Sequence, residues 1–402
     1  IDTQVHFREP GSIEAEDLNS GSRAAIAGGI TGVFEMPNTT PPTSDKKEFQ
    51  NKLNLAKNRM YCNYAFYFGA TPDNHKELSE LQDLEGCCGI KLFVGSSTGN
   101  LLVNKEEDIE KVFKNSSKIV SVHSEDDEMV HYNYDRLKDA DEWDWWNMHR
   151  VHTNQSEDVS FRRVSRLAEL KGCPIYFVHV SAKEGVEEVV RSRAAGLPIY
   201  GETLHNYACF TYEDYRSKDG MKYHTYPSLK SEYDRDSLWE GLMDGSLSTI
   251  ATDLVSTTWE EKIKFRTVAD VTGGHNGIET RMGVAYTEGV VKRGMSLERF
   301  VDITSTNAAK IMGLYPRKGV IAPGSDADIT IMDPTVDKDL SLSDLHLEDY
   351  SIWEGYRVKG WPKSVVHRGE IAILDGELFS SPSYGEFLPR CISGDILEGP
   401  VC

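Results

Sequence analysis

The chain is organised by alternation. Short runs of apolar, β-branched and aromatic residues occur at 1–6, 32–36, 61–69, 89–94, 119–123, 175–180, 197–202 and 247–253. Between most of them lie stretches with apolar residues at helical spacing, at 16–28, 46–59, 73–82, 105–113, 158–170, 182–194 and 236–243. The apolar runs are eight strand candidates. The 182–194 stretch carries helix boundary signals: Ser181 as N-cap, acidic residues in the first turns, and Gly196 past its end. Strict β–α alternation predicts a parallel sheet with right-handed crossovers. Eight such units close into a barrel of roughly 250 residues plus insertions. The fold expected over 1–313 is therefore a (β/α)8 TIM barrel.

The texture changes after Gly313. Residues 319–324, 327–332, 363–367 and 370–374 read as short strands, with a turn at Asp375-Gly376. This predicts part of a small β-sandwich over 314–378, followed by a C-terminal tail over 379–402 with little pattern. The chain opens directly on barrel strand 1, so the expectation is a sandwich incomplete at its N-terminus, its first part preceding Ile1. Two insertions follow barrel strands and should lie over the C-terminal mouth. One, 125–154, holds Trp143, Trp145 and Trp146; the other, 206–234, is rich in Tyr. Their aromatics either pack the rim or line a substrate site.

Composition narrows the function classes. Of 402 residues, 44 are Lys or Arg and 64 are Asp or Glu, a formal charge of −20. Such a chain repels phosphate backbones and anionic lipid, which argues against nucleic-acid and membrane partners. No apolar run approaches the roughly 20 residues of a membrane span, and no signal-peptide pattern opens the chain. The seven cysteines include the adjacent pair Cys87 and Cys88 and match no zinc-binding spacing. They read as reduced thiols of a cytoplasmic protein, with Cys391 and Cys402 set apart in the tail.

Metal-ligand residue types stand on the predicted strands. His6 ends strand 1, Lys91 lies in strand 4, His123 ends strand 5, His179 falls at the end of strand 6, and Asp253 ends strand 8. In a parallel barrel these ends converge on one mouth. Imidazole with carboxylate suits Zn²⁺ or a similar divalent ion. Lys91 interrupts an apolar strand, where an unpaired ammonium is costly. Either it finds a counter-charge or a way to water, or its neutral amine reacts with CO₂ to give an anionic carbamate.

Longer motifs make the reading specific. Val5-His6-Phe7-Arg8-Glu9-Pro10-Gly11 and Glu35-Met36-Pro37-Asn38-Thr39 resemble motifs of dihydroorotases and allantoinases. Gly201-Glu202-Thr203-Leu204, Leu238-Trp239-Glu240-Gly241, Asn276-Gly277-Ile278-Glu279-Thr280-Arg281, Thr304-Ser305-Thr306-Asn307-Ala308-Ala309-Lys310 and Gly324-Ser325-Asp326-Ala327-Asp328 are similar to those of dihydropyrimidinases and hydantoinases. So are the stretch from Tyr350 through Gly360 and Gly385-Glu386-Phe387-Leu388-Pro389-Arg390. Nearly the whole chain thus resembles the cyclic-amide branch of the amidohydrolase superfamily. The resemblance implies a site for one or two Zn²⁺ ions held by His6, carboxylated Lys91, His123, His179 and Asp253. It makes Asp253 the catalytic acid–base group of a hydrolase opening a cyclic amide or imide ring of dihydropyrimidine or hydantoin type. It places Arg8, Asn38, Ser96, Ser228 and Asn276 around the substrate, and it implies a homo-oligomer, commonly a tetramer.

Three positions depart from the family pattern. The usual His-x-His is here Gln4-Val5-His6, which predicts a weakened first metal site. The His that usually follows the catalytic aspartate is Leu254. Ser96 stands where hydantoinases have a tyrosine. Dihydroorotase or allantoinase activity is the alternative within the enzyme class. A catalytically weak or non-enzymatic, dihydropyrimidinase-like assembly protein is the alternative outside it. Loss of one ligand rather than several favours the enzyme.

Overall fold

The computed structural model describes residues 1–95, 100–346 and 349–402. The expected apolar runs form parallel strands β1 (Asp2–His6), β2 (Gly32–Glu35), β3 (Asn63–Gly69), β4 (Cys87–Val94), β5 (Val120–Ser124), β6 (Ile175–Phe177), β7 (Ile199–Leu204), β8 (Thr249–Ala251) and β9 (Leu254–Val255). Every residue of these strands is buried, as the continuous apolar runs require. They are joined in the order β8-β7-β6-β5-β4-β3-β2-β1-β9. β8 and β9 are two halves of one barrel strand. The first half pairs with β7 and the second with β1. Between them Asp253 takes a positive φ of 47° and its amide donates to the Gln4 carbonyl at 3.0 Å. The barrel is therefore a closed (β/α)8 array, and the expected strand at 247–253 breaks where Asp253 turns left-handed.

Helices cover the strands: α1 (Leu18–Ala27), α2 (Lys46–Ala56), α3 (Leu78–Leu81), α4 (Glu106–Lys114), α5 (Asp127–Asp139), α6 (Asn154–Lys171), α7 (Lys183–Ala194) and α8 (Glu232–Asp244). Two local expectations fail. The helix expected at 73–82 shrinks to α3 because Asn74 folds the preceding turn. Its side chain accepts from the Thr71 amide and donates to the Ser44 and Gly69 carbonyls, an alternative to helical pairing. Ser181 does not cap α7. The N-cap is Ala182, and Ser181 donates through its hydroxyl and amide to the buried Glu157 carboxylate.

The second unit is an antiparallel sheet of β10 (Ile329–Asp339), β11 (Arg357–His367), β12 (Glu370–Leu374) and β13 (Glu377–Leu378), in that order. Asp375 and Gly376, at φ 50° and 83°, make the tight turn between β12 and β13. The strand expected at 319–324 is absent: Gly319 and Gly324 are left-handed, and Pro323 lacks the amide a ladder needs. The tail 379–402 is docked on the barrel. Tyr64 exchanges backbone hydrogen bonds with Glu386 and Leu388. Leu388 and Ile396 join Phe34, Tyr67, Cys88 and Met312 in the cluster that fills the barrel's N-terminal end. All seven cysteines are free thiols. Among the described residues no helix is long and apolar enough to cross a membrane.

Candidate active site

The ends of β1, β4, β5, β6 and β8 converge on a cavity of about 510 Å³ at the C-terminal mouth. Gln4, His6, Arg8, Asn38, Lys91, Phe93, His123, His179 and Asp253 line it. All five expected ligand residues are thus brought together, each under 7% exposed. Backbone strain marks the place. Arg8, His179 and Asp253 are three of the seven non-glycine residues with positive φ among the described residues. That conformation costs free energy, and it clusters where function demands an orientation.

Two pairs frame the cavity. His6 Nε2 lies 3.0 Å from Asp253 Oδ1, and Gln4 Nε2 donates to the same oxygen at 2.8 Å. His123 Nδ1 and His179 Nε2 are 2.8 Å apart, with the rings edge-to-face. Burial lowers the pKa of His6, His123 and His179, so the rings are neutral lone-pair donors. For Asp253, burial acts upward. The His6 hydrogen bond leads the causes that outweigh it, and its pKa falls below the usual range.

Lys91 faces the same space. Its Nζ makes no hydrogen bond and lies 4.4 Å from the centroid of the Phe93 ring. Burial pulls its pKa down to about 7, against the opposing pull of Asp253 and Glu202. An amine in that state reacts as a nucleophile near neutrality. Among the described residues no group of three or more His, Cys, Asp and Glu side chains forms a metal-holding cluster by itself. The two pairs stand apart, and the orphaned Lys91 amine acts electrostatically on His6, His123 and His179.

The substrate-side candidates divide. Arg8 lines the cavity, donates to the Asn38 carbonyl at 3.0 Å, and has no carboxylate at ion-pair distance among the described residues. Glu9 is instead paired with Arg59 at 2.5 Å. Asn38 Oδ1 is buried without a partner. Its segment is anchored by the fully buried Lys52, which pairs with Glu35 and donates to the Met36 carbonyl. Ser228 and Asn276 turn their side chains elsewhere, Ser228 to the His152 carbonyl and Asn276 to the Tyr350 carbonyl. Ser96 lies outside the described residues.

Glu125 and residues 269–274 escaped the sequence reading, whereas Tyr134, Thr225 and Tyr226 belong to the two insertions expected over the mouth. Glu125, 0% exposed, sits 3.0 Å from His152 Nδ1 and 3.5 Å from His123 Nε2. Burial raises its pKa, but His152 and His123 outweigh that and hold it well below the carboxylate range. It therefore stays an anion behind His123. Tyr134, Thr225, Tyr226, Val255 and residues 269–274 complete the cavity. Of the two aromatic insertions, the tryptophans do not line it. Trp145 packs edge-to-face on Trp146 and donates to the Tyr215 carbonyl, tying one insertion to the other. His205 and His224 are buried among aromatic rings. The signal for Tyr134 was its place on a helix directly after β5; for 269–274 there was none.

Residues 1–372 match the model of the amidohydrolase family. The chain is 31% identical to the D-hydantoinase of Geobacillus stearothermophilus over 418 residues, spanning 99% of this chain and 87% of that protein. It is 29% identical to the D-phenylhydantoinase of Escherichia coli O1:K1 / APEC, spanning 97% and 86%. The crystal structure of dihydropyrimidinase from Brevibacillus agri NCHU1002 superposes with a TM-score of 0.91 at 28% identity, over 97% of this chain and 87% of that one. The L-hydantoinase (dihydropyrimidinase) from Arthrobacter aurescens superposes at 0.90 and 28%, with the same coverage. With its closed barrel, its antiparallel sheet and the five ligand-type residues at one mouth, the chain belongs to the amidohydrolase family, in its cyclic-amidase branch.

Proposed function

We propose that the protein hydrolyses the ring C–N bond of a cyclic amide or imide of hydantoin or dihydropyrimidine type. The observation that carries this reading is the convergence of His6, Lys91, His123, His179 and Asp253 on one cavity. The residues fit a divalent metal such as Zn²⁺. Neutral imidazoles and a carboxylate are its donors, and the partnerless Lys91 amine is suited to conversion into a carbamate ligand. His123, His179, His6, Asp253 and carboxylated Lys91 would hold one or two ions. When bound, the metal activates water and polarises the ring carbonyl.

The chain's own residues do the rest. Asp253, kept ionised and oriented by Gln4 and His6 at Oδ1, takes the proton of the attacking water and delivers it to the leaving ring nitrogen. The anionic Glu125 lies 3.5 Å from His123 Nε2 and favours a proton on that nitrogen, leaving Nδ1 as the lone-pair donor. Arg8 and Asn38 line the cavity beside the ring. Arg8 also favours a second reading, a ring bearing a carboxylate, as in a dihydroorotase. Its guanidinium has no carboxylate at ion-pair distance among the described residues and suits bidentate carboxylate binding. The resemblance to hydantoinases further supports a cytoplasmic homo-oligomer of tetramer size, which light scattering checks.

One panel tests both readings: hydantoin, dihydrouracil, dihydroorotate and allantoin with protein of measured metal content. Opening of hydantoin or dihydrouracil is expected. Opening of dihydroorotate alone moves the assignment to the second reading. No turnover by metal-replete protein overturns both in favour of an assembly role.

A further inference from the structure

Lys262 lies on the short helix Trp259–Lys264 and is 0% exposed. Among the described residues its ammonium has no carboxylate at ion-pair distance. It donates to three backbone carbonyls: His224 at 2.8 Å, Thr272 at 2.6 Å and Gly274 at 2.5 Å. An ammonium has three donors, so the group is saturated. The acceptors come from two segments far apart in sequence, and both segments line the active-site cavity through Thr225, Tyr226 and residues 269–274.

The two segments also touch each other. The Gly274 amide donates to the His224 carbonyl at 3.0 Å, and the Tyr226 hydroxyl donates to the Val271 carbonyl at 3.2 Å. Gly273 lies so close under the Tyr226 ring that a Cβ there would meet it at 2.2 Å. Lys262 stands behind this contact, away from the cavity. Burial pulls its pKa down to about 7, which registers the cost of an ammonium without a counter-charge. Three convergent carbonyl dipoles offset that cost only while both segments keep their places.

We propose that Lys262 is a positioning residue for ring opening: it cross-links 224–226 and 272–274 into one rigid substrate-facing wall, and so sets affinity for the ring rather than the rate of its cleavage. This rests on the hydrolase reading above. The competing role is a buried lysine that serves overall stability alone.

Lys262→Met and Lys262→Gln, made in the full chain and loaded with metal, decide between them. The readouts are steady-state kinetics on the ring the panel identifies, and hydrogen–deuterium exchange at 222–226 and 271–275. For Lys262→Met, KM is expected to rise about tenfold with kcat held within about threefold, the signature of lost uniform binding. Amide protection should fall at the two segments only, and Lys262→Gln, which keeps two donors, should be intermediate. Val365→Ala, in the core of the β-domain sheet, should lower Tm without moving KM. An unchanged KM, a fall in kcat at constant KM, or exchange rising evenly across the barrel overturns the proposal. So does failure of both Lys262 variants to fold. If the wild-type protein opens no ring, the hydrolase reading fails separately, and exchange at the two segments still decides the cross-link.

Discussion

Gln4 Nε2 donates to Asp253 Oδ1 at 2.8 Å, leaving Gln4 Oε1 buried and without a hydrogen-bond partner. The amide thus spends its donor on orienting the aspartate and offers only a neutral oxygen to a cation. Fewer than two tightly held metal equivalents per chain are expected by ICP-MS of chelator-free protein. Gln4→His should raise that number towards two, since imidazole is the stronger donor. Two tight equivalents in the wild-type protein would rule out a weakened site.

Lys91 carries the second prediction. Its lowered pKa and lack of a hydrogen-bond partner are what the proposed carboxylation rests on. Intact-protein mass spectrometry under native conditions should show an added CO₂ that acid removes. Lys91→Ala should cut metal affinity by more than about a hundredfold and abolish ring opening, because a ligand is lost outright. Retained metal and activity in that variant would refute the carbamate.

Arg8 gives a substrate-dependent outcome. A charge-assisted hydrogen bond contributes roughly 1.5–3 kcal/mol. Arg8→Met should therefore raise KM for dihydroorotate about 10–100-fold while leaving dihydrouracil nearly unchanged. Equal loss on both rings would show that Arg8 shapes the mouth rather than reading a carboxylate.

Glu202 supplies a pH test of the barrel interior. Its carboxyl accepts from Thr3 and from Tyr176 at 2.6 Å, yet burial raises its pKa from 4.5 to about 8. Between those values the folded state holds a proton that the unfolded chain has released. Stability therefore falls as pH rises through this window and levels off above it. Glu202→Gln lacks the slope. Its Tm advantage over wild type should grow by several degrees from pH ~5 to pH ~8, at about 2–4 °C per kcal/mol. A gap that stays constant with pH would show that Glu202 is ionised throughout.

The barrel and its five ligand-type residues were legible because each lies on or beside an apolar run whose end topology alone assigns to one mouth. His179 and Asp253 were found by residue type, but their left-handed backbone was not, since nothing in Phe177-Val178-His179 or Thr252-Asp253-Leu254 announces a turn. Ser228 and Asn276 show what a motif leaves open. Their segments were placed near the ring, and yet their side chains serve the framework. Glu125 and Lys262 were invisible because a buried charge is recognised by what surrounds it, and those surroundings are assembled from distant segments. The docking of the tail was not legible for a related reason. Its few apolar residues have no periodicity of their own and take their places from the barrel floor.

The break in the eighth barrel strand has a consequence for when reactivity first exists. Asp253 meets Gln4 and His6 only once the ring of strands has closed, a contact between positions about 250 residues apart. Such long-range contacts form late. A half-folded chain can bring His123 to His179 at the ends of neighbouring strands, but the acid–base group finds its two partners only in the finished circle, so closure of the ring is the last step in assembling the site.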